Sequence, residues 1–299
     1  MIYTVTFNPS LDYVMFIPSL NIGAITRATR ESIFPGGKGI NVAVVLERLG
    51  FPCTALGFCA GYTGQMLQEM LKGYVTHTDF INLPEGQSRI NVKLKSRQES
   101  DINGRGPSIP TSNIEELFKK LDKLQEGDIL VLSGNVSAGI DSDIYARILQ
   151  NLQNRGVQSV VDTEGQYLYK TLPYKPFLVK PNTAELSALF KVQIDSEEKL
   201  IYYAKQLQKE GAQNVLVSRG AEGALLISRE GKLYSAPAVK LKTPVVNSVG
   251  AGDSMVAGFL AGWLKSKDYT CALNYALAAG AACVASEWLP EQKDILAFL

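Results

Sequence analysis

The chain reads Asn247-Ser248-Val249-Gly250-Ala251-Gly252-Asp253-Ser254, a stretch that predicts a glycine-punctuated turn opening an amphipathic helix. The first N–H groups of a helix have no partner inside the helix, and the helix dipole makes that end positive. Glycine lets an anion approach such N–H groups closely, so the turn indicates an anion site. A carboxylate there can act as a base for phosphoryl transfer to a hydroxyl. Alternatively, Asp253 only stabilises the helix dipole.

The composition is that of an ordinary globular protein, with 299 residues, 46% hydrophobic and 20% charged. A net charge of +1 provides no basic field, so we expect neither nucleic acid nor a membrane as partner. The N-terminal residues show a strand pattern rather than a signal peptide, and the four cysteines form no Cys-x-x-Cys pair, so we expect a cytoplasmic protein. The single histidine, His77, excludes a histidine metal cluster and argues against a histidine-based catalytic triad.

Apolar strands alternate with amphipathic helices along most of the chain, from a first strand at about 2–7 to another at about 214–218. This order indicates an α/β fold whose mostly parallel sheet is covered by helices on both faces.

Two segments, at about 11–34 and 88–105, show strands without helices. In the second segment Ile90, Val92 and Leu94 alternate with polar residues, which predicts a half-buried strand. The two segments could form a small sheet, which would be stable only if its apolar face were covered. A substrate lid, a dimer contact and a pair of plain edge hairpins are the alternatives.

A second glycine-rich stretch, Gly36-Gly37-Lys38-Gly39-Ile40-Asn41, opens the first helix. Its backbone can approach a ligand closely, and Lys38 offers a positive charge for a phosphate. The spacing is not that of a Walker A loop, and no suitable G-x-G-x-x-G supports a dinucleotide site. A plain glycine-rich helix entry is the alternative.

Polar residues elsewhere are further candidates. Asp12 lies just past the first strand, where open α/β sheets bind ligands, and could hold sugar hydroxyls. Arg89 and Arg105 could clamp a phosphate, although each could also be a solvated surface charge. Asn182 and Glu185 fit a helix capping box, or a site where Glu185 organises water around Mg²⁺.

Residues 218–223 follow a predicted strand. They could form a plain hairpin turn or wrap the phosphates of a nucleotide.

Together these motifs resemble the ribokinase-like, or phosphofructokinase B, family over essentially the whole chain. The stretch 36–41 is similar to the first family signature and the stretch 247–254 to the second. The resemblance implies one three-layer α/β/α kinase domain over 1–299, with a β-sheet lid drawn from about 11–34 and 88–105. It implies ATP-dependent phosphorylation of a ketohexose phosphate, with fructose 1-phosphate expected first. Tagatose 6-phosphate is the main alternative, and a non-catalytic sugar-phosphate sensor is a further one.

The resemblance also implies a role for each matched residue. Asp253 would be the base, and the N–H groups of Gly250, Ala251 and Gly252 would stabilise the transferring phosphoryl group. The residues expected to bind the sugar phosphate are Asp12, Gly36, Gly37, Lys38, Asn41, Arg89, Asn91 and Arg105. Those expected to bind ATP are Lys180, Asn182, Ser218, Gly220, Gly223 and Ser248. Glu185 and Asn182 would hold Mg²⁺ largely through water.

Two further expectations concern partners. A monovalent cation, found in some relatives, could lie near Val246 and Ser248. The apolar residues of the segment 88–105 favour a homodimer formed through the lid.

Overall fold

A computed structural model describes residues 1–96, 98–137, 139–241 and 244–299. Arg97, inside the segment predicted to supply lid strands, lies outside the described residues. The strands are β1 (Ile2–Thr6), β2 (Ser10–Phe16), β3 (Arg30–Gly36), β4 (Cys53–Ala60), β5 (His77–Thr78), β6 (Ile81–Leu83), β7 (Arg89–Lys95), β8 (Ser100–Asn103), β9 (Ile129–Ser133), β10 (Gln158–Asp162), β11 (Leu178–Val179), β12 (Asn214–Ser218), β13 (Ala224–Ile227) and β14 (Leu233–Ala236). The helices are α1 (Lys38–Arg48), α2 (Gly61–Leu71), α3 (Thr111–Leu121), α4 (Ile144–Asn151), α5 (Gly165–Tyr169), α6 (Thr183–Phe190), α7 (Glu197–Lys209), α8 (Ala251–Ser266), α9 (Tyr269–Val284) and α10 (Gln292–Leu296).

The large sheet has ten strands, and most of them run parallel. Its order is β14-β13-β12-β11-β10-β9-β1-β4-β5, with β6 also paired to β4. The β12–β13 and β13–β14 pairs are antiparallel. Parallel strands place their carboxyl ends at one edge, which is where ligands bind in open α/β sheets. Asp162 and Ser218 end β10 and β12 at this edge. The mostly parallel sheet predicted from the sequence is confirmed.

Helices cover both faces of this sheet because successive side chains of each strand point in opposite directions. In β9, Ile129 and Val131 belong to the core shared with α1, α8 and α9. Leu130 and Leu132 belong to the core shared with α3, α4 and α7. The predicted three-layer α/β/α arrangement is therefore confirmed.

Helix α8 packs closely along α9. A Cβ built on Gly258 would lie 2.3 Å from the carbonyl oxygen of Tyr275, so only glycine fits at this position. The close contact fixes the axis of α8, and with it the turn at its N-terminus. None of the helices in the described part of the chain is long and apolar enough to cross a membrane.

The second sheet, called the small sheet below, has four strands in the order β3-β2-β7-β8. It comes from the two segments without helices. On β7 the polar Asn91 and Lys93 are buried, whereas Ile90 is 45% exposed. Ile102 on β8 is 62% exposed. The polar face of β7 lies against the cleft described next, whereas its apolar face carries the exposed Ile90 and the buried Leu94.

Candidate active site

A cleft of about 360 Å³ lies between the small sheet and the carboxyl edge of the large sheet. It brings together most of the residues singled out in the sequence, from six separate regions of the chain. Its lining consists of Ser10, Asp12, Gly37, Lys38, Asn41, Arg89, Asn91, Lys93, Lys180, Asn182, Glu185, Ser218, Val249, Gly250, Gly252 and Asp253.

Asp253 lies in the first turn of α8 and is only 5% exposed. The turn depends on Gly250, which caps the helix with φ 84°, a conformation that other residues rarely adopt. Oδ2 of Asp253 accepts a hydrogen bond of 2.8 Å from Nδ2 of Asn41. Burial and the negative charge of Asp162 raise the pKa of Asp253 to about 6, against the opposing effects of Lys38, Asn41 and Lys180. The carboxylate is therefore poised to exchange a proton near neutral pH.

Asp162 is a site residue that the sequence reasoning missed. It is 1% exposed, and its Oδ1 lies 3.2 Å from Nζ of Lys180 while Oδ2 lies 3.7 Å from Nζ of Lys38. One buried carboxylate thus holds two lysines at the base of the cleft. The pKa of Lys38 is lowered by burial and raised more strongly by Asp162, Asp253 and other carboxylates, so the net shift is upward and the lysine stays charged. The available signal was the position of Asp162 at the carboxyl end of a predicted strand.

Lys180 lies beside the start of α8. A Cβ built on Gly252 would be 3.1 Å from Nζ of Lys180, so the absence of a side chain at Gly252 makes room for the ammonium group. The lysine charge and the positive N-terminal end of α8 therefore lie at the same part of the cleft. This end of the cleft suits a phosphoryl group.

The side of the cleft formed by the small sheet is polar and hydrogen-bonded. Oδ1 of Asp12 accepts hydrogen bonds from the Ser10 hydroxyl at 2.8 Å and from Nδ2 of Asn91 at 2.9 Å. Nε of Arg89 donates to the carbonyl oxygen of Asn8 at 3.0 Å, which directs the guanidinium group. Burial lowers the pKa of Arg89, partly offset by Asp12.

Lys93 is the second residue that sequence reasoning missed. Its side chain is buried in the cleft and lies 3.4 Å from the carboxylate of Asp101 on β8. Two-residue periodicity could have found it, because Arg89, Asn91 and Lys93 share one face of β7. Arg89 and Lys93 therefore make this side of the cleft positively charged.

Asn182 and Glu185 form the capping box that their spacing predicts. Oδ1 of Asn182 accepts from the N–H of Glu185 at 2.8 Å, and Oε2 of Glu185 accepts from the N–H of Asn182 at 2.9 Å. Both residues also line the cleft, so capping does not remove them from the site. Beside Asn182 and Ser218 the cleft opens into a second cavity of about 530 Å³, which Gly220 also lines.

Five of the remaining predicted residues lie off the cleft. The Arg105 side chain is exposed. This segment approaches the site through its backbone instead, since the Arg105 carbonyl oxygen accepts a hydrogen bond from Nδ2 of Asn8 at 3.0 Å. Gly223 closes the hairpin against Ala236, whose carbonyl oxygen would be 2.2 Å from an added Cβ. Gly36 packs behind the carboxylate of Asp12. The other two are Ala251, in the first turn of α8, and the exposed Ser248.

Among the described residues, no three His, Cys, Asp or Glu side chains come together as a metal-binding group. The carboxylate of Glu185 nevertheless faces the cleft and is an oxygen donor of the kind that Mg²⁺ prefers.

Comparison with known proteins gives consistent results. The family model for pfkB family carbohydrate kinases matches residues 6–288. The chain is 40% identical to a 1-phosphofructokinase of Bacillus subtilis, over 99% of this chain and 96% of that protein. It is 36% identical to a D-tagatose-1-phosphate kinase of Bacillus licheniformis, with the same coverage of 99% and 96%.

A similar solved structure is that of phosphofructokinase-2 from Escherichia coli in complex with substrates and products. Its TM-score is 0.93 at 27% identity, over 99% of this chain and 97% of that one. The same protein has been solved with fructose-6-phosphate, with potassium and in a tetrameric inhibited form.

Proposed function

This chain belongs to the pfkB family of carbohydrate kinases, and we propose that it uses ATP to phosphorylate fructose 1-phosphate at C6, giving fructose 1,6-bisphosphate and ADP. The observation that carries this proposal is a buried carboxylate, Asp253, at the positive end of α8, in a cleft lined by four cationic side chains. The cationic residues are Lys38, Arg89, Lys93 and Lys180. The similarity to a 1-phosphofructokinase supports this choice of sugar.

Asp253 is the general base of the proposed reaction. Asn41 holds one of its carboxylate oxygens, which fixes the direction of the other. That oxygen takes the proton from the C6 hydroxyl as the hydroxyl oxygen attacks the γ-phosphorus and the bond to ADP breaks. A pKa near 6 leaves the carboxylate ionised at neutral pH, yet close enough to the working pH to accept a proton efficiently.

The start of α8 and the two lysines bound to Asp162 stabilise the transferring group. The N–H groups from Gly250 to Asp253 have no partners deeper in the helix, and Lys180 lies beside them. Phosphoryl transfer depends mainly on positioning and on neutralising charge, and such an arrangement supplies both.

The small sheet is proposed to be the lid of one kinase domain spanning residues 1–299. Arg89 and Lys93, on its inner face, bind the phosphate already present on the sugar. Asp12, Asn41 and Asn91 hold the sugar hydroxyls. The two hydrogen bonds that orient the Asp12 carboxylate support this role, because they fix its direction in the cleft.

ATP is proposed to bind along Lys180, Asn182 and Ser218, where the cleft opens toward Gly220. Glu185 and Asn182 would hold Mg²⁺ through water, and the metal would shield charge on the phosphates when bound. A monovalent cation is also proposed near Val246 and Ser248, and the phosphofructokinase-2 structure in complex with potassium supports cation binding by a relative. Activity in K⁺ and in tetramethylammonium at equal ionic strength tests that site, and equal rates would contradict it.

A homodimer through the outer face of the small sheet is also proposed. Ile90 and Ile102 are exposed there, and β-sheet faces of this kind are normally covered in an assembly. Ile102→Lys should convert the dimer to a monomer in light scattering, whereas Ile102→Val should leave it intact. A wild-type monomer would contradict the proposal.

Tagatose phosphates are the alternative substrates, supported by the similarity to a D-tagatose-1-phosphate kinase. A sugar-phosphate sensor without activity is the other alternative. ADP release in the presence of fructose 1-phosphate distinguishes an enzyme from a sensor, and ³¹P NMR of the product identifies where the phosphate is added. The proposal predicts two phosphomonoester signals from one sugar. It is overturned if ADP is not released above the ATP-only rate.

A further inference from the structure

Three consecutive residues that follow α9, Glu287, Trp288 and Leu289, touch both the small sheet and the turn that opens α8. They are called the connector below. We propose that the connector contains positioning residues that transmit closure of the small sheet over the sugar phosphate to the anion-binding turn at Gly250. This inference rests on the proposed function, because it gives the connector a role in the same reaction.

The first half of the connector is attached to strand β3 of the small sheet. Arg30 donates two hydrogen bonds to the carboxylate of Glu287, at 3.0 and 2.8 Å. The ring of Phe34 stacks on Trp288, with centroids 5.2 Å apart and an angle of 9° between the planes. Arg30 and Phe34 are four residues apart and lie on one face of the strand. A movement of β3 therefore pulls on two neighbouring residues of the connector at once.

The second half of the connector supports the start of α8. A Cβ on Gly250 would lie only 2.9 Å from Cδ2 of Leu289, so this leucine is packed directly behind the turn. Nδ2 of Asn247 donates to the carbonyl oxygen of Glu287 at 3.3 Å, and Oδ1 of Asn247 accepts from the N–H of Val249 at 3.2 Å. The connector therefore contacts the turn at two places, at Gly250 through Leu289 and at Val249 through Asn247.

Helix α1 ties the connector to the residues that hold the sugar. Arg48 donates to the carbonyl oxygen of Leu289 at 2.7 Å, and its guanidinium group lies 5.1 Å from the centre of the Trp288 ring. Trp288 also borders Asp12 and Asn41 across a small cavity of about 20 Å³. Closure of the small sheet, sugar binding and the shape of the anion-binding turn are therefore linked through one short segment.

The ion pair between Arg30 and Glu287 provides a direct test, because its charges can be exchanged. Arg30→Glu and Glu287→Arg each place like charges together. Each should raise KM for the sugar phosphate about fivefold and lower kcat about fivefold. The double exchange restores the pair and should recover most of both losses. Arg229→Glu, at an exposed arginine in the turn between β13 and β14, is the matched control and should behave like the wild type.

A spectroscopic measurement separates positioning from simple folding. In a Trp263→Phe background the only tryptophan is Trp288, so its emission reports the stacking on Phe34. Fructose 1-phosphate without ATP should shift that emission, and Arg30→Glu should move the midpoint of the titration to higher concentration. Unchanged emission at a saturating concentration of the sugar phosphate overturns the inference. The inference is also overturned if the double exchange has a kcat/KM no higher than that of the less active single variant.

The two levels of proposal fail in different ways. If the wild type releases no ADP with fructose 1-phosphate, the proposed function fails. If it does release ADP but the single exchanges leave kcat and KM unchanged, only the role of the connector fails.

Discussion

Nδ2 of Asn41 donates a hydrogen bond of 2.8 Å to the carboxylate of Asp253, although the two residues are 212 positions apart in the chain. The contact joins the start of α1 to the start of α8, the two helices that carry the glycine-rich motifs. It therefore orients the proposed base and stabilises its ionised form.

Asp253→Asn should abolish most of the turnover while ATP still binds. The amide cannot accept the proton of the sugar hydroxyl, and loss of a general base costs about 10²- to 10⁴-fold in kcat. The N–H groups of α8 and the Lys180 side chain remain, so the Kd for ATP from calorimetry should stay within a few-fold of the wild type. Turnover near the wild-type level would remove Asp253 from the role of base.

The pH dependence of kcat/KM should show an acid limb with an apparent pKa of about 6. Below that pH Asp253 is protonated and cannot accept a proton, so kcat/KM falls about tenfold per pH unit. Above it, the carboxylate is ionised and the rate reaches a plateau. The second ionisation of a sugar phosphate also lies near pH 6. The limb is therefore assigned with Asp162→Asn and Asn41→Ala, which should move the pKa of Asp253 and leave the pKa of the substrate phosphate unchanged.

Asp162→Asn should move the acid limb to lower pH. The negative charge of Asp162 raises the pKa of Asp253, so its removal lets Asp253 ionise more easily. The same change releases Lys180 and Lys38 from their shared partner, and KM for ATP should rise. Asp79→Asn, which removes an exposed carboxylate paired with Lys120, is the control and should leave the acid limb at the wild-type pH. An acid limb at the wild-type position would contradict the assigned effect.

Asn41→Ala should move the acid limb in the opposite direction. The Asn41 hydrogen bond stabilises the ionised form of Asp253 and lowers its pKa, so without it protonation occurs at higher pH. A limb that moves to lower pH in this variant, or not at all, would show that the contact does not control the ionisation. The pH profiles of the two variants and the wild type can be measured with one coupled ADP-release assay.

Arg89→Ala should raise KM for the sugar phosphate by about 10- to 100-fold, because it removes charge-assisted hydrogen bonds to a phosphate. Arg105→Ala should have a much smaller effect, since that side chain is exposed and does not line the cleft. Steady-state titrations of the sugar phosphate at saturating ATP compare the two. Equal effects of both substitutions would mean that the phosphate lies outside the cleft described.

The layered α/β fold was predictable because periodicity reports which face of each element is buried. The glycine-rich motifs also placed Lys38, Asn41 and Asp253 correctly at the starts of two helices. Local patterns could not reveal that Asp162 binds Lys38 and Lys180, because that contact depends on the order of strands in the large sheet. The strand order places the end of β10, with Asp162, next to the end of β11, which Lys180 follows.

The small sheet shows a second limit of prediction from sequence. Alternation on β7 was evident, but hydrophobicity alone favours burial of Ile90 rather than of Lys93. The polar face turns inward because it lies on a cleft. The direction of Arg105 was likewise beyond sequence reasoning, because this segment contacts Asn8 through the Arg105 carbonyl oxygen while the Arg105 side chain is exposed.

The central claim is that the cleft accepts a ketohexose that already carries a phosphate, with fructose 1-phosphate preferred. The most direct test is kcat/KM of the wild-type protein for fructose 1-phosphate, fructose 6-phosphate and tagatose 6-phosphate, with unphosphorylated fructose as control. The account predicts the highest value for fructose 1-phosphate and the lowest for fructose. Equal or faster phosphorylation of unphosphorylated fructose would contradict the account, because Arg89 and Lys93 would then have no phosphate to bind.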